Sequence, residues 1–282
     1  MSIGVLAHLC QKGTFDEVAK SVGSYQFKHV QLALWKAFNQ YDFTKPGLLS
    51  PGFAKLIKEI LLSEGISISV LGCYLHLFER DEDERRINIE RFKEILRYAK
   101  FFGAPIVATE TGKIPFGNFT EQDWLNLKAT LEELVLEAEK WGVFIGIEPA
   151  EDHLIDNAEK LKKLLDEVNS SHLGVVLDPG NLITKDNIVE QDVVIEEMFK
   201  LLGSKIVAFQ AKDCLVNEQN EYKWVPVGKG QMNYDLILKR LWEYKPHVEI
   251  ILDAVKPDNM EETKNYLERK IAEVTAKTCF NK

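Results

Sequence analysis

Cysteine is scarce in this chain of 282 residues: the four present, Cys10, Cys73, Cys214 and Cys279, stand far apart and form no Cys-x-x-Cys pair. That spacing signals neither a zinc ribbon nor a dithiol redox motif, and it fits a reduced, intracellular chain. Basic charge is also in short supply, with 35 Lys and Arg against 44 Asp and Glu, a formal net charge of −9 and a pI near 5.3. Nucleic-acid binders concentrate cationic side chains to displace counterions, so no nucleic-acid partner is expected. No apolar stretch approaches the ~20 residues that a membrane span needs, and Met1 to His8 lacks the basic segment and apolar core of a secretory signal. The expected setting is the cytoplasm, with no membrane partner.

What the chain does have is alternation. Short apolar runs are separated by amphipathic segments from end to end, without a composition break, which suits one α/β barrel domain over residues 1–282. Strands are expected near 3–8, 28–34, 66–74, 104–109, 143–148, 173–178, 205–210 and 248–253, with boundaries good to ~2–4 residues. Helical spacing is clearest at Phe92, Ile95, Leu96, Ala99 and Phe102, and at Trp124, Leu127, Leu131, Leu134, Val135 and Ala138. Thr120 with Asp123 resembles a capping box, while Gly103 and Gly142 sit where a left-handed helix terminus is wanted. Eight strands alternating with helices, each crossover long enough to be right-handed and parallel, predict a (β/α)8 TIM barrel over an open sheet. The first two units are less regular, and the aromatic-rich connection 35–50 is placed over the barrel mouth.

Four of the apolar runs stop on a polar residue able to bind a metal: Glu148, Asp178, Gln210 and Asp253. In such a barrel the chemistry sits at the C-terminal ends of the strands, where Glu110, His8, His76 and Lys212 also fall. A single strand-terminal carboxylate is commonly a helix cap or a turn former, and Asp178 before Pro179-Gly180-Asn181 suits a turn. Several carboxylates converging on one rim repel one another unless a divalent cation neutralises them, so a metal is the economical reading.

The segments Ile-Glu148-Pro, Leu-Asp178-Pro-Gly-Asn181, Gln210-Ala-Lys212-Asp213 and Pro226-Val-Gly228-Lys-Gly230 together resemble the sugar phosphate isomerase/epimerase group of the xylose-isomerase-like barrels, the AP endonuclease family 2 fold. Gly72-Cys-Tyr-Leu-His76 and Thr109-Glu110-Thr-Gly112 add to the likeness, which covers nearly the whole chain. The resemblance implies one divalent ion held by residues at the ends of strands 5 to 8, here Glu148, Asp178, Gln210 and Asp253. It also implies proton transfer next to a carbonyl through a metal-stabilised enediolate, with Glu148 and Asp253 exchanging the proton.

This chain departs from the family pattern twice. Gln210 stands where a His is usual, and Asp253 where a Glu is usual. The donor set becomes all oxygen, which favours Mn²⁺ or Mg²⁺ over Zn²⁺ and predicts a weak, exchangeable site. Asp253 also loses one methylene, about 1.5 Å of reach.

His8, His76, Glu110, Asn181 and Lys212 are the candidate substrate-binding residues; for each histidine the alternative is packing, and for Lys212 a salt bridge. The expected partner is a small sugar or sugar phosphate, with a homo-oligomer left open. Trp35, Phe38, Tyr41, Phe43 and Trp224 are candidates to wall a pocket, with core packing or an oligomer contact as the alternatives. Gly228-x-Gly230 reads as a turn, and Glu79 to Arg86 as a solvated loop leading into a helix. Two rival functions follow. An AP endonuclease on the same barrel is disfavoured by only six histidines and by the acidic balance. A non-catalytic binder with a degraded metal site is kept alive by Gln210 and Asp253.

Overall fold

A strand buried on both faces needs neighbours on both edges and cover on both sides, and closing the sheet supplies the edges. The computed structural model describes residues 1–114 and 117–279, and nothing predicted for residues 115–116, 280–282 or the Cys279 side chain falls within it. Ten strands are present among the described residues: β1 (Ile3–Leu6), β2 (His29–Leu32), β3 (Ser67–Gly72), β4 (Ile106–Thr109), β5 (Phe144–Ile147), β6 (Leu173–Leu177), β7 (Ile206–Ala211), β8 (Asp213–Val216), β9 (Tyr222–Val225) and β10 (Ile250–Leu252). Eight of them close in the order β1-β10-β7-β6-β5-β4-β3-β2, every pair parallel. The eight predicted runs all appear, mostly trimmed at their ends.

The two remaining strands were not anticipated. β8 and β9 form an antiparallel ribbon outside the barrel, pairing Asp213 with Val225 and Val216 with Tyr222. Only Lys212 separates β7 from β8.

Apolar side chains drawn mainly from the strands, among them Leu6, Val70, Ile106, Val176 and Ile251, plug the barrel interior, while a larger core lies between the strands and the helices. The helix Glu82–Phe102 turns Phe92, Leu96, Ala99 and Phe102 inward, all fully buried. Each large side chain so placed contributes roughly 1.5–3 kcal/mol by leaving water. Its end is set by Gly103, whose φ of 80° is left-handed, and Gly142 at φ 61° ends the helix Glu121–Trp141 in the same way. Thr120 and Asp123 form the expected reciprocal cap.

The segment before Glu82 is more than a solvated loop. Asp81 caps the helix, and Arg80 reaches across to Asp123 with two hydrogen bonds of 2.8 Å. The aromatic connection meets expectation only at its start, where Lys36 lines the strand-end cleft and Trp35 packs against Tyr74. Phe38 packs edge-on against Phe15 at 4.6 Å, and Tyr41 and Phe43 lie against Phe53, so the cluster is built on the outer helices Phe15–Ser24 and Pro51–Ser63. No helix among the described residues is long and apolar enough to cross a membrane.

Candidate functional site

The C-terminal ends of the strands surround a cleft of about 410 Å³. His8, Glu110, Glu148, Asn181, Gln210, Lys212 and Asp253 all line it. Glu148 follows β5, Asp178 follows β6 and Asp253 follows β10, whereas Gln210 lies one residue inside β7. Each side chain is therefore aimed by the last residues of a strand that is hydrogen-bonded on both edges, which is a rigid mount.

These residues hold one another through a continuous polar chain. Asn181 Nδ2 donates to Glu148 Oε1 at 2.9 Å, and Gln210 Nε2 donates to Glu148 Oε2 at 3.0 Å. The same Gln210 nitrogen lies 3.1 Å from Gln31 Oε1, and Gln31 Nε2 donates in turn to the Tyr74 hydroxyl. On the other side Lys212 Nζ donates to Asn181 Oδ1 at 2.5 Å and sits 3.3 Å from Asp178 Oδ2 and 3.6 Å from Asp253 Oδ2. The ring of Trp224, from β9, covers the ammonium at 4.1 Å, a cation–π distance.

The backbone makes room for this arrangement. A Cβ on Gly180 would lie 2.6 Å from Lys212 Cγ and 3.0 Å from its Cε, so only glycine lets the lysine stem cross there. Asp213 accepts hydrogen bonds from the backbone of Cys214, Gly228, Gly230 and Met232, which pins the ribbon and explains the Gly-x-Gly turn.

Burial sets the proton affinities. Glu148 is held well above the usual carboxylate range by desolvation, reinforced by the charges of Glu110 and Asp178. Burial likewise raises Asp178 to about 6 against the pull of Lys212, and it raises Glu110. Burial alone would lower Lys212, but Asp178, Asp253 and Glu148 outweigh it and keep the ammonium charged. His8 drops to about 4 through burial and the nearby Lys36, and its Nδ1 has no hydrogen-bond partner.

Two expected residues take other places. His76 does not line the cleft: its Nδ1 lies 2.7 Å from Glu79 Oε2 and its ring packs against Phe78, because it lies beneath Gly112, where a Cβ would collide with it. Asp178 lies beneath Lys212, fully buried and outside the cleft lining. Of the proposed aromatic wall only Trp224 faces the cleft, while Trp35 and Phe43 line a separate small cavity. Conversely, Gln31, Lys36, Tyr74 and His153 belong to the neighbourhood and went unread. His153 Nδ1 accepts from the Gly112 backbone at 3.0 Å, and its Nε2 lies 3.6 Å from Glu110.

The donor chemistry suits a hard divalent ion. Glu148, Asp178, Gln210 and Asp253 offer oxygen alone, and Asp178 Oδ2 is a buried carboxylate oxygen that no hydrogen bond satisfies. Among the described residues, however, no three His, Cys, Asp or Glu side chains form a ready-made cluster. Gln210 turns its amide N–H toward Glu148, and Lys212 stands between Asp178 and Asp253.

The sequence pattern of the xylose isomerase-like TIM barrel family matches residues 17–270. An uncharacterized protein of Methanocaldococcus jannaschii is 27% identical over 241 residues, covering 80% of this chain and 79% of that protein. A probable L-ribulose-5-phosphate 3-epimerase of Mycoplasma pneumoniae is 25% identical over 150 residues, 53% of this chain and 45% of that protein. Among solved structures, a D-tagatose 3-epimerase-like protein superposes with a TM-score of 0.78 at 20% identity, covering 99% of this chain and 100% of that one. A xylose isomerase-like barrel from Mycobacterium smegmatis in complex with magnesium gives 0.70 at 16% identity over 92% of this chain and 90% of that one.

Proposed function

Because this chain belongs to the xylose isomerase-like TIM barrel family, we propose that it is a sugar isomerase or epimerase that moves a proton at the carbon next to a carbonyl. The observation that carries this reading is Glu148: a carboxyl on the cleft wall, oriented by two amide donors and with its proton affinity raised by burial. A general base or acid works best when its proton affinity lies near the operating pH, and burial moves a carboxyl in that direction. Glu148 removes or returns the proton on one face of the substrate carbon.

Asp253 follows a strand three places away in the barrel order and is the second proton-handling group. Epimerisation needs such a partner to return the proton to the opposite face, whereas isomerisation is served by one face. Asn181 and Gln210 keep the Glu148 carboxyl turned toward the cleft. Glu148 is itself almost fully buried at the end of β5, which keeps bulk water from most of its surface.

Glu148, Asp178, Gln210 and Asp253 would hold one divalent ion, Mn²⁺ or Mg²⁺ in preference to Zn²⁺ since all four donors are oxygen. Such an ion, when bound, would supply the positive charge that makes a C–H bond next to a carbonyl more acidic. His8 and Glu110 are placed to contact substrate hydroxyls. The cleft is lined by Lys36, Lys113 and Lys212 against Glu110, Glu148, Glu151, Asp152 and Asp253, a balance that favours a neutral sugar over its phosphate.

Deuterium incorporation from D₂O, followed by NMR over a panel of free and phosphorylated ketoses with Mn²⁺ added, tests the proposal. Exchange at the carbon beside the carbonyl is the expected result. Ligand-induced thermal stabilisation without exchange on any sugar would instead favour a binding protein. Tight stoichiometric zinc after dialysis would contradict the oxygen-donor preference.

A further inference from the structure

We propose that Lys212 is a built-in counter-ion that occupies the cation's place, so that a divalent ion binds this chain only by displacing the lysine ammonium. The inference rests on the reading that Glu148, Asp178, Gln210 and Asp253 are the metal-binding set. Lys212 is 4% exposed at its side chain, and its Nζ lies between two members of that set, 3.3 Å from Asp178 Oδ2 and 3.6 Å from Asp253 Oδ2. A buried carboxylate needs a charge partner, and among the described residues Asp178 has only this one. Its Oδ2 meets the ammonium only at 3.3 Å, too poorly aligned for a well-formed hydrogen bond, so the oxygen is neutralised by the ammonium without being saturated by it.

The surroundings are built for this occupant. Gly180 leaves space for the lysine stem, Asn181 Oδ1 receives one ammonium proton, and the Trp224 ring covers the outer side. Gln210 turns its N–H, and not its amide oxygen, toward Glu148 Oε2, the oxygen that would face an ion held by this set. Gln31, itself bonded to Tyr74, accepts from the same nitrogen and fixes that amide orientation. A divalent ion and an ammonium within one acidic cup repel each other strongly. Ion binding therefore requires Lys212 to leave Asp178 and Gln210 to present its oxygen.

The test compares the EDTA-treated full chain with its Lys212→Met and Lys212→Gln variants, using Mn²⁺ alone as the probe. Mn²⁺ affinity is read by electron paramagnetic resonance, and stability by thermal unfolding. Without metal, K212M melts below the parent because Asp178 has lost its partner. Mn²⁺ binds K212M about tenfold or more tightly than the parent and raises its melting temperature, while the parent's barely moves. K212Q, whose amide can still donate to Asn181, folds with less loss and shows the same gain in affinity. Adding Asp178→Asn to K212Q removes that gain and places the ion in this cup. Equal Mn²⁺ affinity in the parent and both variants overturns the inference, as does a gain that survives Asp178→Asn. Sugar exchange is scored separately on the parent: its absence counts against the proposed reaction, and the binding comparison stands or falls without it.

Discussion

Two buried aspartates in this barrel each face a cation, and their proton affinities move in opposite directions. Asp123, on the outer collar of helices, has a side chain 1% exposed, takes two 2.8 Å hydrogen bonds from Arg80 and accepts from Thr120. Those bonds hold it well below the usual carboxylate range. Asp178, on the barrel rim, meets Lys212 at 3.3 Å with one oxygen unbonded, and burial raises it to about 6. A forked guanidinium saturates its carboxylate, while a point charge at longer range does not. The Asp123 carboxylate is thereby closed on both oxygens, while Asp178 keeps one oxygen without a close, well-aligned donor.

That contrast is most sharply tested at the rim itself. Glu148→Gln is expected to cut sugar deuterium exchange by roughly 10²–10⁴-fold, the range for losing a general acid–base group. Its melting temperature should fall modestly, because the amide fills the same volume but turns an NH2 toward Asn181 or Gln210, each of which now donates to a carboxyl oxygen. A large fall in stability with activity retained would reverse the assignment of the rim.

His153 offers the next largest effect, since its environment is dry without being paired to a saturating charge. Burial, aided by Lys113, lowers its proton affinity from 6.5 to about 4 in the folded chain. The unfolded chain takes up that proton first, so the contribution is complete above pH 6.5 and fades as the pH drops to about 4. Its full size is about 3 kcal/mol, since each tenfold change in proton affinity carries about 1.36 kcal/mol. Urea unfolding of His153→Gln across pH 4 to 7 should be flatter than the parent by that order.

Asp123→Ala should lose about 2 kcal/mol of stability, combining a helix cap with a half-exposed ion pair, and leave sugar exchange intact. Reduced exchange at a temperature where the variant is folded would break the division between collar and rim. The smallest effect is expected at Glu133, which Arg86 and Lys93 hold to about 2. Because these side chains are partly exposed, Glu133→Gln should cost only about 0.5–1 kcal/mol, with the loss shrinking in high salt.

The barrel was readable because strands buried on both faces stand out as unbroken apolar runs, and helix ends carried their caps at Thr120, Gly103 and Gly142. The ribbon Asp213–Val225 was hidden because only Lys212 separates β8 from β7, and the polar residues Gln210, Lys212 and Asp213 read as the close of one strand and not as the start of another. The candidate site was legible where a polar residue closes a strand, as at Glu148, Asp178 and Asp253. Gln31 escaped because it lies within β2, beside a register shift between Val30 and Gln31 that re-aims its side chain. Tyr74 and His153 lie outside regular elements, where no periodicity points the side chain. His76 was misplaced because closeness along the chain to a strand end does not determine on which side of a loop a ring will pack.

The single residue between β7 and β8 has a mechanical consequence. Lys212 is the joint where a rigid barrel stave becomes a surface ribbon, with its carbonyl moored by the Tyr234 hydroxyl at 2.7 Å. The tip, residues 217–221, is tied back to that joint by the antiparallel pairing of β8 with β9. Trp224, on the same ribbon, lies over the Lys212 ammonium, so one wall of the candidate site comes from outside the barrel.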